Sequence, residues 1–208
     1  MAKRREAIVK EIERKNKIYL IHCWDGTKDD GWYPWLDKKI SDSDNQFIRL
    51  NMPDSANPRI EKWVGELEKQ IDEIDEHTYF VGHSIGCQTI LRYLEKQNVE
   101  KIGGILFVAP WLDLLSEAVG DQESFETARP WLETPIDFDA IKKMTDDIVC
   151  IFSDDDYFVS LDQAKEFQKL LNAKIIVVHK KGHISADDNI NELDEIYEAL
   201  TKIIGAKL

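Results

Sequence analysis

Gly82-His83-Ser84-Ile85-Gly86 decides how the rest of the chain is read. Before it lies His77-Thr78-Tyr79-Phe80-Val81, an apolar run of strand length. After it, residues 85–97 carry Ile90, Leu91 and Leu94 at helical spacing. A serine with glycine two positions away on each side, between strand and helix, marks a strained turn that lifts the hydroxyl out of the sheet. Glycine is needed at both flanks because a side chain would collide there. The third glycine of a dinucleotide fingerprint and the lysine of a P-loop are both missing, which argues against a phosphate cradle.

Outward from this turn, strand and helix patterns alternate. KIYLIH (17–22), NQFIRL (45–50), GGILFVA (103–109), DIVCIF (147–152) and KIIVV (174–178) read as strands. Helices are expected around Trp32 to Ile40, from Asn57-Pro58 through Ile74, from Leu161 to Leu171 and from Asn191 to Ile203. Pro58 suits the first turn of its helix, where no N–H partner exists. Such alternation with long crossovers predicts a mostly parallel sheet with helices on both faces. Strands that are nearly all apolar agree, since both faces are then buried. The chain reads as a single domain over residues 1–208. An extra amphipathic helix is expected over residues 1–16, and 112–140 reads as an acidic, irregular, cap-like insertion with Pro130 and Pro135.

The chain has 208 residues with 27 Lys plus Arg against 40 Asp plus Glu, a net charge of −13. A surface of that sign repels phosphate backbones and anionic membranes, so neither nucleic acid nor a membrane is expected as a partner. No run approaches the roughly 20 apolar residues that span a bilayer, and the basic N-terminus lacks the apolar core of a signal. The three cysteines, Cys23, Cys87 and Cys150, are an odd number without metal-type spacing. They read as reduced thiols in a cytoplasmic protein.

In sheets of this kind the chemistry gathers at the carboxyl ends of the strands. A serine hydroxyl there needs a base to take its proton and a carboxylate to orient that base. His183 follows the last strand in KKGHIS and is the candidate base. His179 ends that strand, His83 lies inside the turn with its side chain expected to point away from the serine, and His22 closes the first strand as a supporting residue. His77 is at the wrong end of the sheet. The acid is expected in Ser153-Asp154-Asp155-Asp156-Tyr157-Phe158-Val159. Asp156 fits the D-x-x-V pattern of such loops, with Asp155 the alternative. The chain order is then Ser84, Asp156, His183. Two N–H donors are required for the developing oxyanion. Ile85 supplies one at a helix N-terminus. Trp24 supplies the other, with Cys23 as its alternative.

Taken together, GWYPWL (31–36), LNMPD (50–54), GHSIG (82–86), RPW (129–131), SDDDYF (153–158) and GH (182–183) resemble the α/β-hydrolase superfamily. More narrowly, they are similar to small serine hydrolases related to retinoblastoma-binding protein 9 and its bacterial relatives. That resemblance implies a three-layer fold with about six strands and little or no lid, and a triad of Ser84, His183 and Asp156. It also implies esterase- or peptidase-like activity. The chain departs from the family in having Cys23 where a glycine usually follows the first-strand histidine, and in its extra N-terminal helix.

The expected activity is hydrolysis of small carboxylic esters through an acyl-enzyme, without metal or organic cofactor, by a monomer or homodimer. A peptidase, amidase or acyltransferase with the same triad is the alternative. A binding protein on a hydrolase fold is the other. Trp32, Met52, Trp111 and Phe158 are expected to line the substrate pocket, with Trp24, Trp35 and Tyr157 also in nearby loops. Lys28, Lys180 and Lys181 are the only basic residues in these loops, so strongly anionic substrates such as acyl-CoA are disfavoured.

Overall fold

The computed structural model describes residues 15–42, 44–115 and 120–205. The helix expected over residues 1–16 lies almost wholly outside them, and Asn16 already begins the first strand. Six strands form one sheet: β1 (Asn16–Ile21), β2 (Asn45–Leu50), β3 (Thr78–His83), β4 (Gly104–Val108), β5 (Ile148–Ser153) and β6 (Lys174–Val178). Their spatial order is β2-β1-β3-β4-β5-β6, and every pairing is parallel. Among the described residues seven helices lie between and after them: α1 (Tyr33–Ile40), α2 (Ile60–Gln70), α3 (Ile85–Leu94), α4 (Gln122–Glu133), α5 (Phe138–Lys142), α6 (Gln163–Leu171) and α7 (Asp194–Gly205).

Alternate residues of each strand feed two apolar layers. Ile18, Leu20, Val81, Leu106, Val108 and Ile151 pack against α1 and α7 through Leu36, Ile196 and Leu200. Tyr19, Ile21, Phe80, Phe107 and Phe152 face the opposite layer, which α2, α3, α5 and α6 fill with Trp63, Leu67, Ile90, Ile141 and Phe167. A sheet covered on both faces needs apolar residues at successive positions, which is why the strands show no polar alternation. All ten residues of α3 are buried. Chain direction along the sheet reverses between β1 and β3, because β1 leads outward to β2 while β3 leads to β4 on the other side. The loops after β1 and β3 therefore part at their carboxyl ends and leave a crevice.

Most helices begin or end a few residues from the sequence expectation, and two differences have a clear physical cause. Helix α2 starts at Ile60, with Arg59 extended at its cap (φ −123°, ψ 133°), and not at Asn57-Pro58. The Pro58 carbonyl is taken by the Trp131 indole N–H (3.1 Å), which holds the chain extended before the helix begins. Residues 112–140, expected to be irregular, contain α4. Asp121 caps it by accepting the Ser124 N–H at 2.7 Å. Pro130 inside the helix obscured its period, and only Thr127, Ala128 and Trp131 of its side chains are buried.

Arg92 ties this insertion to the body. The residue is 1% exposed, and its guanidinium donates to the carbonyls of Trp131 and Thr134, both at 2.8 Å, and of Pro135 at 3.4 Å. It also lies over the Trp131 ring, 5.9 Å from the centroid. Arg92→Met keeps the apolar stem and deletes the donors, leaving carbonyls without a partner at the helix end. A destabilisation of about 3 kcal/mol is expected from this, read as a lower urea midpoint at unchanged slope.

Cys87 in α3 and Cys150 in β5 are buried, and burial pushes both thiols far up. Among the described residues no helix is long and apolar enough to cross a membrane.

Candidate active site

Ser84 sits at the top of β3 with φ 54° and ψ −119°, a region that side chains other than glycine rarely adopt. Its N–H donates to the Val108 carbonyl (2.9 Å) and its carbonyl accepts from the Cys87 N–H (2.9 Å), so the turn is held from both sides. The flanking glycines are required by close approach. A Cβ on Gly86 would stand 2.3 Å from the Ile21 carbonyl oxygen and 2.8 Å from that of His22. One on Gly82 would stand 2.9 Å from the Cys87 backbone. The first turn of α3 thus presses against the end of β1, and this seats the serine.

The structure brings Ser84, His183 and Asp156 together from three strand-end loops. His183 Nε2 lies 2.8 Å from Ser84 Oγ. His183 Nδ1 lies 2.9 and 3.1 Å from the two Asp156 carboxylate oxygens. A carboxylate only accepts, so Nδ1 carries the proton and Nε2 is free to accept from the serine hydroxyl. The Asp156 side chain is 2% exposed, and its Oδ1 also accepts the N–H groups of Phe158 (2.8 Å) and Val159 (3.1 Å). The Phe158 ring meets the His183 ring edge to face at 4.8 Å.

The neighbouring aspartates turn elsewhere. Asp155 accepts from the Ser153 hydroxyl (2.8 Å) and the Gly182 N–H (2.9 Å), and these donors hold its carboxyl below the usual range. Asp154 accepts the Lys180 N–H (2.9 Å) and pairs with His179. Both tie the loop after β5 to the loop after β6, and neither meets His183.

Ile85 follows the serine directly, and Trp24 borders the same cleft. The Ile85 N–H lies in the first turn of α3, where no helical acceptor precedes it. On the β1 side, the Cys23 N–H donates to the Tyr33 hydroxyl (3.3 Å), and His22 Nδ1–H donates to the Cys23 carbonyl (2.7 Å). The Trp24 N–H, by contrast, has no backbone or side-chain acceptor among the described residues. His22 is buried, which pushes its imidazole down, and its Nε2 accepts the Met52 N–H at 2.9 Å. It is a neutral brace for this loop.

A cleft of about 300 Å³ opens over Ser84. Trp24, Trp111, Tyr157 and Phe158 give it aromatic walls, Leu114 and Ser124 close one side, and Asp25 and Asp187 are the carboxylates among the described residues that line it. The Trp111 indole N–H points at Ser84 Oγ (3.3 Å). Two residues expected in the pocket are elsewhere. Trp32 is fully buried under the sheet end, where its indole N–H donates to the Ile184 carbonyl (2.9 Å) and its ring meets Tyr33. Met52 is 3% exposed, and its side chain joins the Trp63 layer of the core. The Trp32 and Met52 side chains turn back into the apolar layers, while Trp24 and Asp25 of the loop after β1 face the crevice. Leu114 and Ser124 carry no sequence signal for this role, because they belong to the insertion whose helical period Pro130 interrupts. Asp187 had no motif to announce it. Among the described residues no group of three or more His, Cys, Asp or Glu side chains is placed to hold a metal ion.

Comparison with known proteins gives the family and the fold. A family model described as serine hydrolase matches residues 18–202. YdeN of Bacillus subtilis (strain 168) is 31% identical over 192 residues, which cover 89% of this chain and 94% of YdeN. Its crystal structure superimposes with a TM-score of 0.83 at 28% identity over 92% of this chain and all of that one. Serine hydrolase RBBP9 of Rattus norvegicus is 29% identical over 171 residues, 82% of this chain and 86% of its own. Est1E of Butyrivibrio proteoclasticus, solved with ferulic acid bound, has a TM-score of 0.66 at 16% identity, with 93% of this chain and 91% of Est1E covered. That last likeness is one of fold.

Proposed function

Because the chain belongs to the serine hydrolase family, we propose that it cleaves small, uncharged carboxylic esters with Ser84 as nucleophile, His183 as general base and acid, and Asp156 as the carboxylate that orients it. The observation that carries this reading is the continuous row Ser84 Oγ, His183 Nε2, His183 Nδ1, Asp156, with its proton positions assigned by the carboxylate.

In the proposed cycle the Ser84 hydroxyl proton passes to His183 Nε2 as Oγ bonds to the ester carbonyl carbon. The carbonyl oxygen takes up negative charge and is met by the Ile85 and Trp24 N–H groups. Asp156 stabilises the imidazolium. The carbon–oxygen bond to the alcohol then breaks, and His183 returns the proton to the departing oxygen. Water loses a proton to His183, attacks the acyl-enzyme and releases the acid, which restores the Ser84 hydroxyl. Trp111 and Phe158 border the acyl group in this reading, beside Trp24, Leu114 and Tyr157.

The rim carboxylates Asp25 and Asp187, with no Lys or Arg among the described residues that line the cleft, favour neutral substrates over anionic ones. A matched series tests both bond and charge: p-nitrophenyl acetate and butyrate, the p-nitroanilide of butyrate, and a p-nitrophenyl hemi-ester with a free carboxylate. Neutral esters are expected to lead, with kcat/KM for the hemi-ester lower by about tenfold from two screened charges. Turnover of the anilide as fast as the ester would favour an amidase or peptidase instead.

A further inference from the structure

The oxyanion loop after β1 and the general-base loop after β6 are joined through the interior by an unbroken row of polar groups. The Cys23 N–H donates to the Tyr33 hydroxyl oxygen (3.3 Å). The Tyr33 hydroxyl lies 2.6 Å from His83 Nδ1, and His83 Nε2 lies 2.9 Å from the His183 carbonyl oxygen. A carbonyl can only accept, so Nε2 carries the His83 proton, Nδ1 is an acceptor, and Tyr33 must be the donor to it. Every proton in the row is assigned, and all run in one direction. Tyr33 is 2% and His83 1% exposed. Burial pushes the tyrosine up and brings the imidazole down to about 3, so both remain neutral near pH 7.

The ends of this row are the informative part. One end fixes the N–H of Cys23, while His22 fixes the Cys23 carbonyl (2.7 Å). In a trans peptide that carbonyl and the following N–H point in opposite directions. Gripping Cys23 on both sides therefore aims the Trp24 N–H. The other end grips the main chain of His183 itself. Neither Tyr33 nor His83 lines the cleft over Ser84; both stand against an adjoining hollow of about 190 Å³, away from the serine hydroxyl.

We propose that Tyr33 and His83 are positioning residues, a buried one-directional relay that keeps the oxyanion loop and the general-base loop at the spacing the transition state requires. The proposal rests on the roles given above to Ser84, His183 and Trp24. Misplacing these groups by a fraction of an ångström weakens transition-state contacts more than ground-state ones, so the loss falls on kcat.

The test uses the full-length protein as Tyr33→Phe, His83→Leu, the double variant, and His83→Gln, whose amide offers a donor and an acceptor at the spacing of the imidazole nitrogens. Kinetics with p-nitrophenyl butyrate are paired with inhibition by a trifluoromethyl ketone, which mimics the tetrahedral adduct. Tyr33→Phe and His83→Leu are each expected to lower kcat about tenfold with KM within about twofold, and to weaken the ketone by a similar factor. The double variant falls no further than the worse single one, because both cut the same row. His83→Gln recovers to within about threefold of wild type. Long-range ¹⁵N–¹H NMR shows wild-type His83 as the Nε2–H tautomer, without titration from pH 5 to 9. Folded Tyr33→Phe with full kcat, a loss confined to KM, additive losses in the double variant, or a titrating His83 would each overturn the relay. A wild type that neither turns over esters nor takes a fluorophosphonate overturns instead the esterase reading on which the relay's role depends.

Discussion

Ser84→Ala is expected to lower ester turnover by about 10⁶-fold and to abolish covalent labelling by a fluorophosphonate. The substitution removes one oxygen and leaves the rest of the turn intact. The bonds that hold residue 84, from its N–H to Val108 and from the Cys87 N–H to its carbonyl, belong to the backbone and survive. Alanine carries the same steric burden as serine at φ 54°. The Trp111 indole and His183 Nε2 lose a partner at the cleft surface, where water can replace it. Stability should therefore change little. Labelling of the wild type and variant side by side, with turnover of p-nitrophenyl butyrate, reads both effects. Turnover surviving in the alanine variant would remove Ser84 from the nucleophile's role.

Asp156→Asn is expected to lower kcat by about 10⁴-fold while the protein folds normally. The amide oxygen can still accept the Phe158 and Val159 N–H groups that anchor Oδ1. The amide nitrogen then faces His183 Nδ1 as a donor, and Nδ1 must become the acceptor. The ring proton moves to Nε2, which can no longer accept from Ser84. The same change at Asp155 alters only the bonds to Ser153 and Gly182. Asp155→Asn should cost kcat no more than about threefold. A large loss at 155 with little at 156 would reverse the assignment.

What could be read from the residues alone follows from which forces are local. Buried parallel strands must be apolar at successive positions, so the strand runs stood out. The strand-to-helix turn at Ser84 needs small residues at fixed offsets, so it was visible as a motif. Side-chain direction in the strand-end loops is set by distant contacts and was not visible. Trp32 and Met52 looked like pocket residues because they sit in the correct loops, yet Ile184 and the Trp63 layer draw them inward. Asp154, Asp155 and Asp156 are chemically identical in sequence. They differ only in whether the Lys180 N–H, the Gly182 N–H or the His183 ring stands opposite. The proline in α4 hid a helix whose buried side is made by contacts with Arg92 and Pro58, both far away in the chain.

The placement of the cysteines gives the unmodified chain an internal clock. A thiol reacts as thiolate, and only where reagent can reach it. Cys87 and Cys150 lie in α3 and β5 at the centre of the molecule, so an alkylating agent meets them only when the middle of the sheet comes apart. Cys23 borders the cleft, half-buried, with burial raising its thiol to about 11. Its modification requires only a breath of the loop after β1 and is shielded by whatever fills the cleft. Slow and fast alkylation in the same sample thus separate global opening from occupancy of the crevice.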